Sequence, residues 1–168
     1  RDKASGPTYR GSIAAIQIVE STKPMFKTTV SDGGEKQFSE LVWDKEKSES
    51  FTDEDQLVVN IESDTTLVFE NDVNVYAIKF NIAEGKKLTL TGGKVVSRYI
   101  AVTGGTSLII DNDVDAAKIA YTGENSQQLV INQGKTLTIK EISGNINILN
   151  NGALIKTGDG TVTWQLNN

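Results

Sequence analysis

The side chains that most often carry nucleophilic and acid–base chemistry are missing from this chain. Its 168 residues include no Cys and no His. Their absence excludes Cys nucleophiles, Ser-His-Asp triads, His general bases, zinc fingers, His-ligated metals and disulfide scaffolds. Carboxylate, Lys, Tyr or Ser chemistry is what remains. The densest acidic run, Asp111-Asn112-Asp113-Val114-Asp115, resembles the opening of a helical calcium loop. Such a loop needs Gly at its sixth position and a carboxylate at its twelfth, and these are Ala116 and Thr122 here. A looser calcium site would need Asp111 and Asp113 beside Asn71 and Asp72; the alternative is acidic chain corners that face water.

Other constellations are also incomplete. Lys86-Lys87 and Gly92-Gly93-Lys94 lack phosphate-loop spacing and read as chain corners. Arg98 lies in Ser97-Arg98-Tyr99, with no neighbouring carboxylates to make it part of a polysaccharide-cleaving centre. The expectation is a protein without catalysis or cofactor. Binding chemistry is better represented. Tyr76, Tyr99 and Tyr121 recur at intervals of about 22 residues. Facing outward, they would form a ladder able to stack on sugar rings or pack against a partner protein; facing inward, they would fill a core. The Asn-rich run Asn145 to Asn151 has two comparable readings, stacked chain corners or a sugar-binding row.

Charge narrows the partners. The chain has 17 basic and 22 acidic side chains, a net charge of −5. Residues 1 to 52 are neutral, so the excess acid lies in 53 to 168. An acidic body without a basic stripe argues against nucleic acid. No stretch approaches the roughly 18 apolar residues of a membrane-spanning helix, which argues against direct membrane insertion. The start at Arg1 is compatible with a removed secretion signal.

From residue 57 onward, short apolar–polar–apolar segments follow one another. Examples are Leu57 to Ile61, Leu67 to Phe69, Val75 to Phe80, Leu88 to Leu90, Val95 to Val102 and Leu108 to Ile110. Gly, Asn and Asp clusters separate them, and no helical period persists. This predicts an all-β protein. Shifting the chain by 41 residues lays Leu67-Val68-Phe69-Glu70-Asn71-Asp72-Val73 over Leu108-Ile109-Ile110-Asp111-Asn112-Asp113-Val114, and also Ile78 over Ile119 and Phe80 over Tyr121. A sandwich has no reason to keep such register, whereas a solenoid must stack like on like. The basic step is about 20 residues, so 41 is two coils. The expected architecture is a single-stranded parallel β-helix over 53 to 168, roughly 25 Å long at about 4.8 Å per coil.

The last segment strengthens that reading. In Asn151-Gly152-Ala153-Leu154-Ile155-Lys156-Thr157-Gly158-Asp159-Gly160-Thr161-Val162-Thr163-Trp164, the residues Gly152, Leu154, Lys156, Gly158 and Gly160 fall at the spacing of the autotransporter-associated β-strand repeat, which it resembles. Val162 and Trp164 replace that pattern's final leucines. The resemblance covers about fourteen residues. It implies an exported bacterial surface solenoid of the passenger type, placed outside the cell, with no catalytic residues to carry over. In the motif Leu154 and Val162 point inward and the glycines permit the corner between them.

Residues 1 to 52 do not fit the repeat and read as an N-terminal β cap or a strand-donating arm. Three strands are expected there: Tyr9 to Val19, Met25 to Val30 and Phe38 to Trp43, with a turn at Ser31 to Gly34. Ile13, Ala15, Ile16 and Ile18 would form the self-assembly strand if the arm pairs with a second copy. Asp44 to Asp55 reads as a solvated linker into the first coil. The functional expectation is a non-catalytic structural or adhesive surface module whose partner is a glycan or a host protein. The alternatives are a self-assembling fibre subunit and a polysaccharide-active β-helix of the pectate-lyase type.

Overall fold

The computed structural model describes residues 23–123 and 126–160. Within them the chain is a β-solenoid of about 21-residue coils. One sheet, A, contains seven strands in the order β1 (Met25–Val30), β3 (Gln56–Ile61), β5 (Val73–Ile82), β7 (Val95–Gly104), β9 (Val114–Thr122), β11 (Thr136–Ser143) and β13 (Ala153–Lys156). The other, B, contains six: β2 (Gly34–Gln37), β4 (Thr65–Phe69), β6 (Lys87–Gly92), β8 (Ser107–Asp111), β10 (Gln127–Ile131) and β12 (Ile146–Asn150). Every pairing is parallel and joins a strand to the next but one in sequence. At about 4.8 Å per step, the seven strands span roughly 29 Å.

Period-two alternation builds the interior. Phe26, Leu57, Ile78, Ile100, Ile119 and Ile142 form one inward column of sheet A. Beside it run Val59, Phe80, Val102 and Tyr121. Leu88, Leu108 and Leu129 continue the same logic in sheet B, all fully buried. Each buried aliphatic side chain contributes about 1.5–3 kcal/mol.

β5, β7, β9 and β11 bend within their length. In β5, Tyr76 and Ala77 both face outward between buried Val75 and Ile78, and the same break follows Ser97 in β7, Ala116 in β9 and Ile139 in β11. Two consecutive outward residues turn the strand through a corner at which the pairing skips one residue and then resumes in the same register, and the tube gains a ridge along its length.

The sequence register needs one correction. Ile78 does align with Ile119 through Ile100, and Leu88 with Leu129 through Leu108, as the 41-residue shift requires. Leu67, however, aligns through Leu90 with Ile110, not with Leu108. The coil from Thr65 to Leu88 is 23 residues and the next, from Leu88 to Leu108, is 20. The resulting slip is even, so inward residues stay inward.

Stacking begins before residue 53. β1 pairs with β3, and β2 with β4, in the same two sheets as the later coils. The expected strand at 38 to 43 is a 3-10 turn, Phe38–Glu40, followed by irregular chain. Its aromatic side chains explain why: Phe38, Trp43 and Phe51 meet edge to face with centroids 5.0–5.9 Å apart, and Phe38 also contacts Phe69. Nor is Asp44 to Asp55 a plain solvated linker. The Asp44 N–H donates to the Lys27 carbonyl at 2.8 Å, the Lys27 N–H to Asp44 Oδ1 at 2.8 Å, and Thr28 Oγ1 to the Val42 carbonyl at 2.7 Å. The segment between β2 and β3 therefore covers part of the free edge of β1, as an end cap must. Tyr9 to Val19, with Ile13, Ala15, Ile16 and Ile18, lies outside the described residues, as do Val162 and Trp164.

The cap contains a buried ion pair. Asp55 is almost fully buried and accepts from Lys47 Nζ at 2.6 Å and from the Thr52 N–H at 2.7 Å. Burial pushes the Asp55 carboxyl upward, but the Lys47 ammonium and the Thr52 donors outweigh it and hold the pKa below its ordinary value. A depressed carboxylate pKa contributes stability that is complete above the unfolded value, near 4, and is lost as pH falls through the lower folded value. Asp55→Asn should therefore lower stability at neutral pH by about 2–3 kcal/mol and flatten the loss of stability below pH ~4, as read from urea unfolding across pH. An unchanged acid limb would mean that this pair does not hold the cap.

Candidate functional site

The outward face of sheet A, with the adjoining ridge, gathers the chemistry that the sequence disperses. Inward alternation in β1, β3, β5 and β7 leaves Met25, Gln56, Ala77 and Tyr99 in one outward column, continued by Lys118 and Glu141. A second column holds Lys27, Val58, Lys79, Ala101 and Ala120. A third is a polar ladder: the Asn60 amide donates to Thr29 Oγ1 at 3.1 Å, the Asn81 amide to Asn60 Oδ1 at 2.8 Å, and Thr103 and Thr122 hydroxyls are 2.8 Å apart. These bonds tie neighbouring coils together on their solvent side.

At the bend, the expected tyrosine ladder is reduced to two members. Tyr99 is 48% exposed and its ring centroid lies 6.0 Å from that of half-buried Tyr76, at 59°. The Arg98 guanidinium sits 5.6 Å from the Tyr76 centroid and Lys23 Nζ 4.6 Å from it. Tyr121 is corrected to a core residue: it is buried, sits beside Val102 in the inward column, and burial pushes its hydroxyl pKa upward. Strand steps differ between coils, from 22 residues for Val75 to Ser97 to 19 for Ser97 to Ala116, so an even sequence interval does not keep side chains in one column.

This side of an acidic protein carries several cations. Lys23, Lys27, Lys79, Arg98, Lys118 and Lys140 lie on the face or its ridge. Lys23 pairs with Glu54, and Lys118 with Glu141 at 2.7 Å. Among the described residues Lys27, Lys79 and Arg98 form no ion pair. A shallow groove of about 220 Å³ runs between the columns, lined by Met25, Val58, Ala77, Lys79, Tyr99 and Ala101. An aromatic platform, an apolar floor and free cations can together hold an extended molecule with flat rings and negative charge.

A second hollow, of about 360 Å³, lies at the capped end between Phe38, Trp43, Phe51, Glu49, Glu70 and Asp72. Two of its carboxylates, Glu70 and Asp72, are engaged with the backbone. Glu70 accepts from the Ser39 hydroxyl and N–H, and the Ser39 hydroxyl bond holds the Glu70 carboxyl below its ordinary pKa. Asp72 Oδ1 accepts the Lys94 N–H at 2.8 Å. The equivalent corner Asp113 accepts the Thr136 N–H at 2.9 Å, so the acidic corners clamp successive coils. Among the described residues no three carboxylates converge as metal ligands. Asn147 bonds Ser126 at 2.9 Å and not another Asn, so the Asn-rich run makes no ladder at that position. Comparison with family models, curated proteins and solved structures gives no match.

Proposed function

We propose that this chain is a non-catalytic structural or adhesive module of an exported bacterial surface protein, of the kind that carries autotransporter-associated repeats. The β-solenoid fold supports the structural half of the reading. The adhesive half rests on one observation: the exposed Tyr99 ring beside Tyr76 and Arg98, on a face held by inter-coil hydrogen bonds. A rigid platform loses little entropy on binding, which favours recognition by ring stacking. Among the described residues Arg98 rests against Tyr76 and makes no ion pair with a carboxylate, so the same face lends no support to the polysaccharide-cleaving alternative. The test is a panel of immobilised acidic and neutral glycans and surface proteins: saturable binding to at least one is expected, and binding to none would overturn the adhesive reading.

Self-association is a second reading, and the last coil favours it. β12 and β13 end their sheets among the described residues, with Leu149 40% and Ile155 48% exposed and Leu154 half-buried. Unpaired parallel edges recruit further strands. Light scattering should then show mass rising with concentration, together with rods in negative stain; a constant monomer mass would reject this reading.

A further inference from the structure

We propose that the outward face of sheet A binds an acidic polysaccharide, a chain of uronate or sulfated sugars laid along the tube axis and across the strands. The proposal rests on the adhesive reading above and names its ligand.

The argument starts from charge. On a chain of net charge −5, this face presents Lys27, Lys79 and Arg98 with no acidic partner among the described residues. Lys27 and Lys79 occupy the same outward column two strands apart, roughly 9.6 Å along the axis. Arg98 stands at the ridge on the next strand, beside Tyr99. The groove between them is floored by Met25, Val58, Ala77 and Ala101, so its width is open to the apolar faces of sugar rings. Tyr99 supplies an exposed ring for one such face, and Tyr76 with Arg98 braces it. The Thr and Asn ladder of the third column lines the same face with hydroxyls and amides for sugar hydroxyl groups.

The same features disfavour a nucleic acid. Its backbone carries a charge about every 3.4 Å along a strand, a far denser line than cations spaced at roughly 9.6 Å can neutralise. The acidic remainder of the chain repels a densely charged polymer more than a sparsely charged one, and in a uronate chain every second sugar can bring its carboxylate to the spacing of Lys27 and Lys79.

Isothermal titration of the full chain with oligogalacturonate, a neutral cello-oligosaccharide and oligodeoxythymidylate tests this. Oligogalacturonate should bind saturably and weaken as salt rises. Tyr99→Ala should weaken it about tenfold, the loss of one stacked ring. Lys79→Gln and Arg98→Gln should each weaken it several-fold and flatten the salt dependence. Lys87→Gln, an exposed cation at the start of β6 in the other sheet, should change nothing. All four positions are exposed, so the variants should keep the wild-type unfolding midpoint. Equal, salt-independent binding of the neutral sugar would overturn the acidic ligand while leaving the adhesive reading intact. Tighter binding of oligodeoxythymidylate, or equal weakening by Lys87→Gln, would also overturn it. Failure of every glycan and surface protein on the wider panel would remove the adhesive reading itself.

Discussion

Phe80→Ala should destabilise the protein by about 3–5 kcal/mol, the usual cost of emptying a buried aromatic site. Phe80 is fully buried in sheet A, between Val59 on the coil before and Val102 on the coil after. A globular core can shift side chains from several directions into a cavity. A stacked tube has fixed neighbours above and below, held at strand spacing by the ladder, and relaxes less. The loss should appear as a lower urea midpoint with an unchanged slope. If unfolding splits into two steps in the variant, the break should fall between the coils on either side of Phe80, because each coil is stabilised chiefly by its neighbours. A loss below about 1 kcal/mol would mean that Phe80 is not enclosed.

Gly92→Ala should cost about 3 kcal/mol or more, and Gly85→Ala only about 1 kcal/mol. Both glycines are left-handed, with φ of +89° and +75°. They differ in what surrounds them. Gly92 lies opposite Phe69 in the neighbouring coil, and a Cβ there would overlap the Phe69 carbonyl oxygen, which already accepts the Gly93 N–H at 2.6 Å. At Gly85 a Cβ would meet nothing within 4 Å. The backbone preference is common to the two, so the difference in their unfolding free energies isolates the close approach of coils at that corner. Equal costs would indicate that the coils do not meet there.

The tube was legible because its rules are local and repetitive. Alternation marks the strands, Gly, Asn and Asp mark the corners, and the alignment of Ile78 with Ile119 shows that coils stack. The even slip at Leu67 leaves no mark in the sequence, because nothing in an inward–outward pattern changes when register moves by two residues. β2, Gly34–Gln37, carries no apolar alternation and is a strand because β4 lies beside it. Phe38, Leu41 and Trp43 imitate a strand pattern, yet the contacts of Phe38 and Trp43 with Phe51 and of Phe38 with Phe69 fold that segment over the tube end. Such distant aromatic contacts leave no periodic trace.

The candidate site was only partly legible. Tyr121 had a usable signal, since the 41-residue shift already placed it on Phe80, a core position; the even interval to Tyr99 pointed the other way. The cationic face had none. Lys27, Lys79, Arg98 and Lys140 are far apart in sequence, and they share a side only because coils of unequal length return each to the same face.

All of this depends on successive coils lying parallel and directly on one another. The absence of native Cys allows clean spin labelling at Lys79→Cys and Ala120→Cys, outward positions two strands apart through Ala101. Stacked coils place these backbones about 10 Å apart and predict strong dipolar broadening of the spectrum. A pair of labels that do not interact would contradict the stack, and with it the face on which the cations and tyrosines are gathered.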